Sequence, residues 1–429
     1  MPSALILYQY FHPDDVVSSV HLTQLAEGLT SRGWDITALP CNRSCRNAGE
    51  KYPRTSTHDG ISIKRVWRPP FPMTRGWGRV ANCAWTIGGW SVRALTINPD
   101  LIIIGSDPVM SAAAAIPWKF LRKETRMVHW CFDLYPEAAV SDGMLKPGFA
   151  LSALKSIMRA AYRRIDLLAD IGDCMRERLS VYESPAKTMT LVPWALSEPA
   201  APLAVDPLER KALFGSAKLG LMYSGNFGRA HTFTEVLRIA RLLRTADVHF
   251  TFSVRGNRTA ELREAVKEED RNISFVPFAS QDRLEARLGA ADIQVVSLRS
   301  EWTGTVVPSK FFGALAAGRP VLFVGSEESY IARTIRKHGL GWVCSAGHED
   351  EVSTQLRGLA DQPSAMSELR EQCHRIYQTH FAREMTLEKF DRELRHLSDR
   401  KSLRKNTTHG LGEHATNKKC REGTSKTAF

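Results

Sequence analysis

The stretch Thr303–Gly325, TGTVVPSKFFGALAAGRPVLFVG, decides how the chain is read. Pro308 and Ser309 signal a helix start: proline fits a first turn, and serine can accept a bond from an orphan N–H. Lys310–Ala317 reads as a short helix of Phe, Leu and Ala. Gly318 suits the left-handed residue after a helix, and Pro320 prevents continuation. Val321–Val324 is an apolar run of strand length, suited to burial on both faces of a parallel sheet. A loop of Thr303, Gly304 and Thr305 thus brings backbone N–H groups to a helix start beside Lys310. That arrangement favours an anion, most naturally a phosphate.

Outward from it, short apolar runs alternate with helical text. Ala4–Tyr10, Trp34–Leu39, Ile61–Trp67, Asp100–Gly105, Arg126–Cys131, Ile165–Gly172 and Thr188–Pro193 read as strands. With the helix Val20–Ser31 after the first, they open as a doubly wound sheet does. The stretch SEPAAPLAVDP is Pro- and Ala-rich and aperiodic, which marks a linker over 195–206. A second set follows: Leu219–Ser224, His249–Val254, Ile273–Phe278, Ala291–Leu298, Val321–Val324 and Gly341–Cys344. The expected organisation is a first domain over 1–194, a second over 207–380, a last helix over 381–399 and a disordered basic tail over 400–429. Phe71–Ile97 carries Trp77, Trp85 and Trp90 with Arg75, Arg79 and Arg93. It is either a domain helix with its tryptophans in the core or a basic amphipathic helix lying at a membrane surface.

At 429 residues, 43% hydrophobic and 24% charged, the composition is that of a globular protein with room for two domains. No apolar run reaches the roughly 18 residues that span a bilayer, and the first residues lack a signal peptide's basic region. A cytoplasmic protein is expected, with its eight scattered cysteines reduced. The net charge of +12 suits anionic partners. Neither a zinc-finger pattern nor a defensible helix-turn-helix appears, so nucleic acid is not expected. The segment FHPDDVVSS after the first strand has no G-x-G-x-x-G, which argues against a dinucleotide oxidoreductase.

Three further segments sit where open α/β sheets bind ligands, past the carboxyl ends of strands. GNFGRAHTF offers Gly225 and Gly228 for a tight turn and close backbone approach to an anion. RGNR supplies Arg255, Gly256 and Asn257. HWCFDLYPE holds His129, Asp133 and Glu137; Asp133 either caps the following helix or orients a hydroxyl group.

Together these segments resemble glycosyltransferase family 4, and most nearly its bacterial subset with a PSK-helix-AAGRPV segment that builds surface polysaccharides. The resemblance implies an α/β GT-B fold: two Rossmann-like doubly wound domains facing each other across a cleft, with the last helix crossing back to the first domain. It implies transfer of a sugar, with retention, from a nucleotide-sugar, UDP-linked by expectation, to a hydroxyl of a glycan or polyprenyl-diphosphate-linked acceptor. The leaving phosphate takes the acceptor proton in such enzymes, so no dedicated nucleophile is required. No cofactor is expected, and no metal, because no Asp-x-Asp is placed to carry one. A location at the inner face of the membrane follows from such acceptors. Carried over residue by residue, Asp133 and His129 are the catalytic candidates, and His12, Ser18 and Glu137 stand on the acceptor side. Gly225, Asn226, Arg229, Arg255, Gly256, Asn257, Phe278, Thr303, Gly304, Thr305, Ser309 and Lys310 stand on the donor side. His12 is otherwise a solvated loop histidine, and Phe278 a core residue.

The chain departs from the family at its most specific place. A Glu-x7-Glu pair that meets the donor sugar and ribose is replaced by Thr305 and Gly313. An Arg and a Lys in the glycine turn are replaced by Asn226 and His231, which leaves Arg229 and Lys310 as the expected phosphate charges. These losses keep a second reading open, a non-catalytic nucleotide-sugar-binding relative acting as an assembly or regulatory partner.

Overall fold

The structure is a computed structural model that describes residues 1–416 apart from 48, 74, 281–282 and 361–364; for 365 and 400–416 it describes the backbone alone. Its strands form two sheets. The first contains β1 (Ser3–Leu7), β2 (Asp35–Ala38), β3 (Thr55–His58), β4 (Ile61–Lys64), β5 (Leu101–Ile104), β6 (Arg126–Trp130), β7 (Leu167–Asp170) and β8 (Lys187–Thr190). The second contains β9 (Leu219–Asn226), β10 (Val248–Arg255), β11 (Ile273–Phe275), β12 (Ile293–Ser297), β13 (Val321–Val324) and β14 (Gly341–Cys344). Every pairing is parallel except the β3–β4 hairpin. Parallel strands covered on both faces need uninterrupted apolar text, and β5 (LIII) and β13 (VLFV) are buried at every position. β3 is the strand the sequence hides: TSTH is polar, half-exposed and at the sheet edge.

The strand orders are β3-β4-β2-β1-β5-β6-β7-β8 and β11-β10-β9-β12-β13-β14. Each order reverses once, between β1 and β5 and between β9 and β12. Ligands of open α/β sheets bind outside the carboxyl ends of strands at such reversals. The chain therefore has two crevices of this kind, one per domain.

The last helix, Arg383–Thr416, returns to the first domain. Trp34 Nε1 donates to Asp391 Oδ1 at 2.6 Å, and Lys187 Nζ meets Glu393 Oε2 at 2.6 Å. Gly28 makes the approach possible, since a Cβ there would stand 2.5 Å from Leu387 Cδ1. The helix also continues through 400–416, where the sequence reading placed a tail without structure. No proline interrupts that stretch, so its backbone ladder can propagate. Residues 417–429 of the expected tail lie outside the described residues.

The aromatic helix, Gly76–Arg93, divides its tryptophans. Trp90 is fully buried and donates to Leu39 O, whereas Trp77 and Trp85 are exposed. Both alternatives for this helix thus hold in part. One side is core, and the other is an aromatic and basic surface.

Candidate donor cleft

Between the domains lies a cavity of about 510 Å³. Its second-domain wall is built by the turn after β9, the end of β10 and the start of the helix Lys310–Ala316. Its first-domain wall is built by Val17 and His21, by Asp133 after β6 and by Trp194, continued by 195–197.

Lys310 is the centre of the second-domain wall. Its Nζ donates to Tyr223 Oη at 2.8 Å and to Asn226 O at 3.1 Å, and it lies 4.0 Å from the Tyr223 ring centroid. An ammonium has three donors, so one remains for a ligand. Gly225 beside it stands at φ +130°, a backbone conformation that favours glycine. Burial pushes the Lys310 amine down to about 7. No carboxylate among the described residues forms an ion pair with it, and the site gains a full positive charge when an anion arrives to hold it. The helix behind it has only seven residues, and Ser309 does not cap it through its side chain. The grip expected of the helix start therefore falls on Lys310 itself. Ser309 still lines the cavity.

Arg229 also lines the cavity, but its Nη1 is bound to Asp142 Oδ2 of the first domain at 2.7 Å. It is a clasp across the cleft rather than a free phosphate charge. His231 lines the cavity too, with Nδ1 2.7 Å from Ser297 O. Burial and the neighbouring Lys310 charge push it down to about 3, so it is a neutral imidazole. At the end of β10, the Arg255 guanidinium lies 4.2 Å over the Phe278 ring, and Phe278 is exposed rather than in the core. That pair makes a flat platform on the cavity wall. Gly256 and Asn257 do not line the cavity. Gly256 serves a close crossing, because a Cβ would come within 2.5 Å of Phe227 O.

The loop 303–305 corrects the sequence reading. Thr305 is fully buried, with Oγ1 donating to Trp302 O at 2.7 Å in a reverse turn. Its carbonyl accepts from Leu134 N at 2.9 Å. Gly304, at φ +77°, presses on the first domain, where a Cβ would stand 2.4 Å from Cys174 O. Thr303 Oγ1 is buried without a partner. These three residues form the seam between the domains, and none of them lines the cavity. Gly313, by contrast, opens onto the cavity, and nothing lies within 4 Å of where its Cβ would be.

On the first-domain side, Asp133 is exposed where it opens onto the cleft. The protein mass around that opening still pushes its carboxyl up to about 6. His129 does not line the cleft, although it and Asp133 share the lining of a small internal cavity with Ser106 and Tyr162. It is buried in β6, with Nδ1 2.9 Å from Ile104 O, because its strand position points it into the helix layer near Tyr162. Burial lowers it to about 4. Glu137 is likewise structural: Tyr182 Oη donates to its Oε1 at 2.6 Å in a buried contact. His12 stacks on His58 with ring centroids 3.7 Å apart, held there by Arg65 Nη2 on its carbonyl at 2.8 Å. Ser18 faces the Tyr8 phenol. None of these four lines the donor cavity.

Sequence reasoning missed His21, Trp194 and Tyr223. His21 Nδ1 lies 2.7 Å from Val17 O and Nε2 lies 2.8 Å from Trp194 O, which ties the first helix to the linker. Tyr223 sits inside the apolar text of β9, so only its contact with Lys310 reveals it. Among the described residues, Glu27, His58 and Asp59 could together hold a metal ion, and none of the three lines the cleft cavity.

Residues 18–195 match the model of the glycosyl transferase 4-like domain. WbjE of Pseudomonas aeruginosa, named as a probable glycosyltransferase, is 24% identical over 303 residues, which cover 68% of this chain and 71% of that protein. WcaI of Escherichia coli, named for colanic acid biosynthesis, is 25% identical over 229 residues, covering 52% of this chain and 56% of its own length. Among solved structures, HepE of Anabaena in complex with UDP and glucose superposes with a TM-score of 0.64 at 11% identity, covering 92% of this chain and 99% of that one. The fold is therefore GT-B, and with a glycosyl transferase domain and glycosyltransferase relatives the protein is a glycosyltransferase.

Proposed function

We propose that the protein transfers a sugar from a uridine diphosphate donor to a hydroxyl of a glycan or lipid-linked glycan, with retention, in surface polysaccharide synthesis. The observation that carries this reading is Lys310: its Nζ spends two of three donors on Tyr223 Oη and Asn226 O and lines the cleft at the strand-order reversal of the second domain. A half-buried lysine with a free donor suits a diphosphate. HepE, of the same fold, was solved with UDP and glucose, and WcaI is named for a polysaccharide pathway.

In this reading Lys310 holds the diphosphate and the Arg255–Phe278 platform receives the base. Lys310 stabilises the charge that develops on the leaving phosphate. That phosphate oxygen takes the acceptor proton, and Asp133 orients the acceptor hydroxyl by accepting its hydrogen bond. The charged donor competes with Asp142 for Arg229, which couples binding to the contact between the domains. The exposed Trp67, Trp77, Trp85 and Val92, with Arg75 and Arg93 nearby, form the face that meets an anionic membrane and brings lipid-linked acceptors to the cleft.

The test is a thermal-shift screen of UDP-, GDP- and dTDP-sugars, followed by transfer to polyprenyl-diphosphate sugars and assignment of the product anomer. UDP-sugars should stabilise the chain and the product should keep the donor's configuration. Stabilisation by GDP- or dTDP-sugars alone would remove the uridine assignment, and an inverted product would remove retention.

A further inference from the structure

The donor cleft meets the first sheet at the carboxyl ends of its strands. A larger hollow, of about 1340 Å³, lies at the amino ends of the same sheet. Arg126 opens β6, Asp166 stands just before β7 and Lys187 opens β8. Lys119 enters from the helix Ala115–Leu121, and Arg163 and Arg164 follow the helix Phe149–Tyr162. The last helix contributes Glu393 and His396.

The lining is strongly basic. Its five lysines and arginines face two carboxylates, and five minus two leaves three positive charges. Both carboxylates are already engaged. Asp166 accepts from Arg126 Nη1 at 2.9 Å and from Met127 N at 2.8 Å, and it meets Lys119 Nζ at 3.0 Å. Glu393 Oε2 meets Lys187 Nζ at 2.6 Å. The remaining cationic groups have weak partners or none. Arg164 Nη1 donates to Ala160 O at 2.6 Å, a neutral carbonyl, and Arg164 forms no ion pair among the described residues. Arg163 reaches Glu183 only at 3.9 Å, with both side chains exposed. Arg126 Nε is buried without a partner.

The carboxyl end of the helix Phe149–Tyr162 accounts for part of this charge, since its orphan carbonyls favour cations. That end carries roughly −0.5 elementary charge, which the two guanidinium groups after it exceed. Cations gathered around one hollow repel each other, and an anion among them relieves the repulsion. Guanidinium forks match phosphate oxygens in pairs, and lysines add point charges. The hollow exceeds the donor cleft in volume, so a ligand larger than a lone ion fits.

We propose that this hollow is a second anion site, which takes a phosphate-bearing molecule of two or more negative charges. The phosphate comes from a lipid headgroup or from a soluble phosphate ester. Phe120, 79% exposed beside Lys119, gives a lipid an apolar neighbour. Because the last helix lines the hollow, a bound phosphate ties that helix to the first sheet. The proposal concerns the end of the sheet remote from the donor and stands independently of the transferase reading.

The test titrates the full chain with inorganic pyrophosphate by calorimetry, in excess UDP so that the donor cleft is filled. Pyrophosphate should bind and raise the thermal midpoint. R164Q and K187Q, at exposed positions, should each weaken it at least threefold and together at least tenfold, with UDP affinity as in the wild type. R336Q, an exposed arginine of the second domain, should leave pyrophosphate binding unchanged. Phosphatidylglycerol vesicles that displace pyrophosphate from the wild type, and do so less well from F120S, would identify a lipid headgroup as the source. Pyrophosphate binding that vesicles leave intact would identify a soluble phosphate. No binding of pyrophosphate, binding that the R164Q/K187Q pair leaves intact, or equal weakening by R336Q overturns the proposal.

Discussion

Replacing Lys310 with methionine tests the donor cleft at its centre. Methionine keeps the unbranched apolar stem and removes the charge. The lost contact is one charge-assisted hydrogen bond from the free donor of Nζ to phosphate, worth about 1.5–3 kcal/mol. UDP affinity should fall roughly 10- to 150-fold. The proton linkage gives an independent check. The Lys310 amine titrates at about 7 in the folded chain, against about 10.4 for an ordinary lysine. Between those values the unfolded chain binds more protons at this site than the folded one. The contribution of Lys310 to stability therefore rises with pH across that window. The methionine variant should lose that slope and, at pH 7 and below, should be no less stable than the wild type. UDP binding returns the proton to Nζ, so it should take up protons at pH 8, and affinity should fall as pH rises above about 7. Calorimetry in buffers of different ionisation enthalpy reads both. Unchanged UDP affinity in the variant, or binding without proton uptake at pH 8, would refute the reasoning.

R229A leaves the Asp142 carboxylate, whose side chain is 4% exposed, without its ion-pair partner, so it should cost about 1–3 kcal/mol of stability. Its UDP affinity should fall less than tenfold, because Asp142 already holds Arg229; a loss as large as that of K310M would place Arg229 among the primary phosphate ligands. T305A should cost about 1 kcal/mol of stability, the worth of one buried hydrogen bond, and leave the KM for the donor unchanged, since Thr305 turns away from the cavity. G313E should fold and gain about 0.5–1 kcal/mol from replacing a helical glycine, because its Cβ meets open space; a lowered thermal midpoint would show that the cavity wall cannot take a side chain there. Changing Trp77 and Trp85 to serine should reduce co-sedimentation with phosphatidylglycerol vesicles several-fold at constant UDP affinity, and equal sedimentation would remove this face as the membrane contact.

Much of the architecture is legible from periodicity. Runs such as LIII and VLFV admit little but strands covered on both sides. The same logic fails at β3, whose polar TSTH pairs at a sheet edge where burial imposes no pattern. Within the site, Lys310, Ser309, Gly225, Asn226, Arg229, Arg255, Phe278 and Asp133 do gather around one cavity. The misplaced residues share a cause. Thr303–Thr305, His129 and Glu137 lie in motif text beside true cavity residues, but side-chain direction along a strand or turn sends them into the seam or the core.

The most direct measurement is release of UDP from a UDP-hexose by the full chain, followed with and without a polyprenyl-diphosphate disaccharide. The account predicts release that depends on the acceptor, gives a product one sugar longer and drops at least tenfold in K310M. Acceptor-dependent release that K310M leaves intact, or tight UDP-hexose binding with no sugar moved to any acceptor, would contradict it.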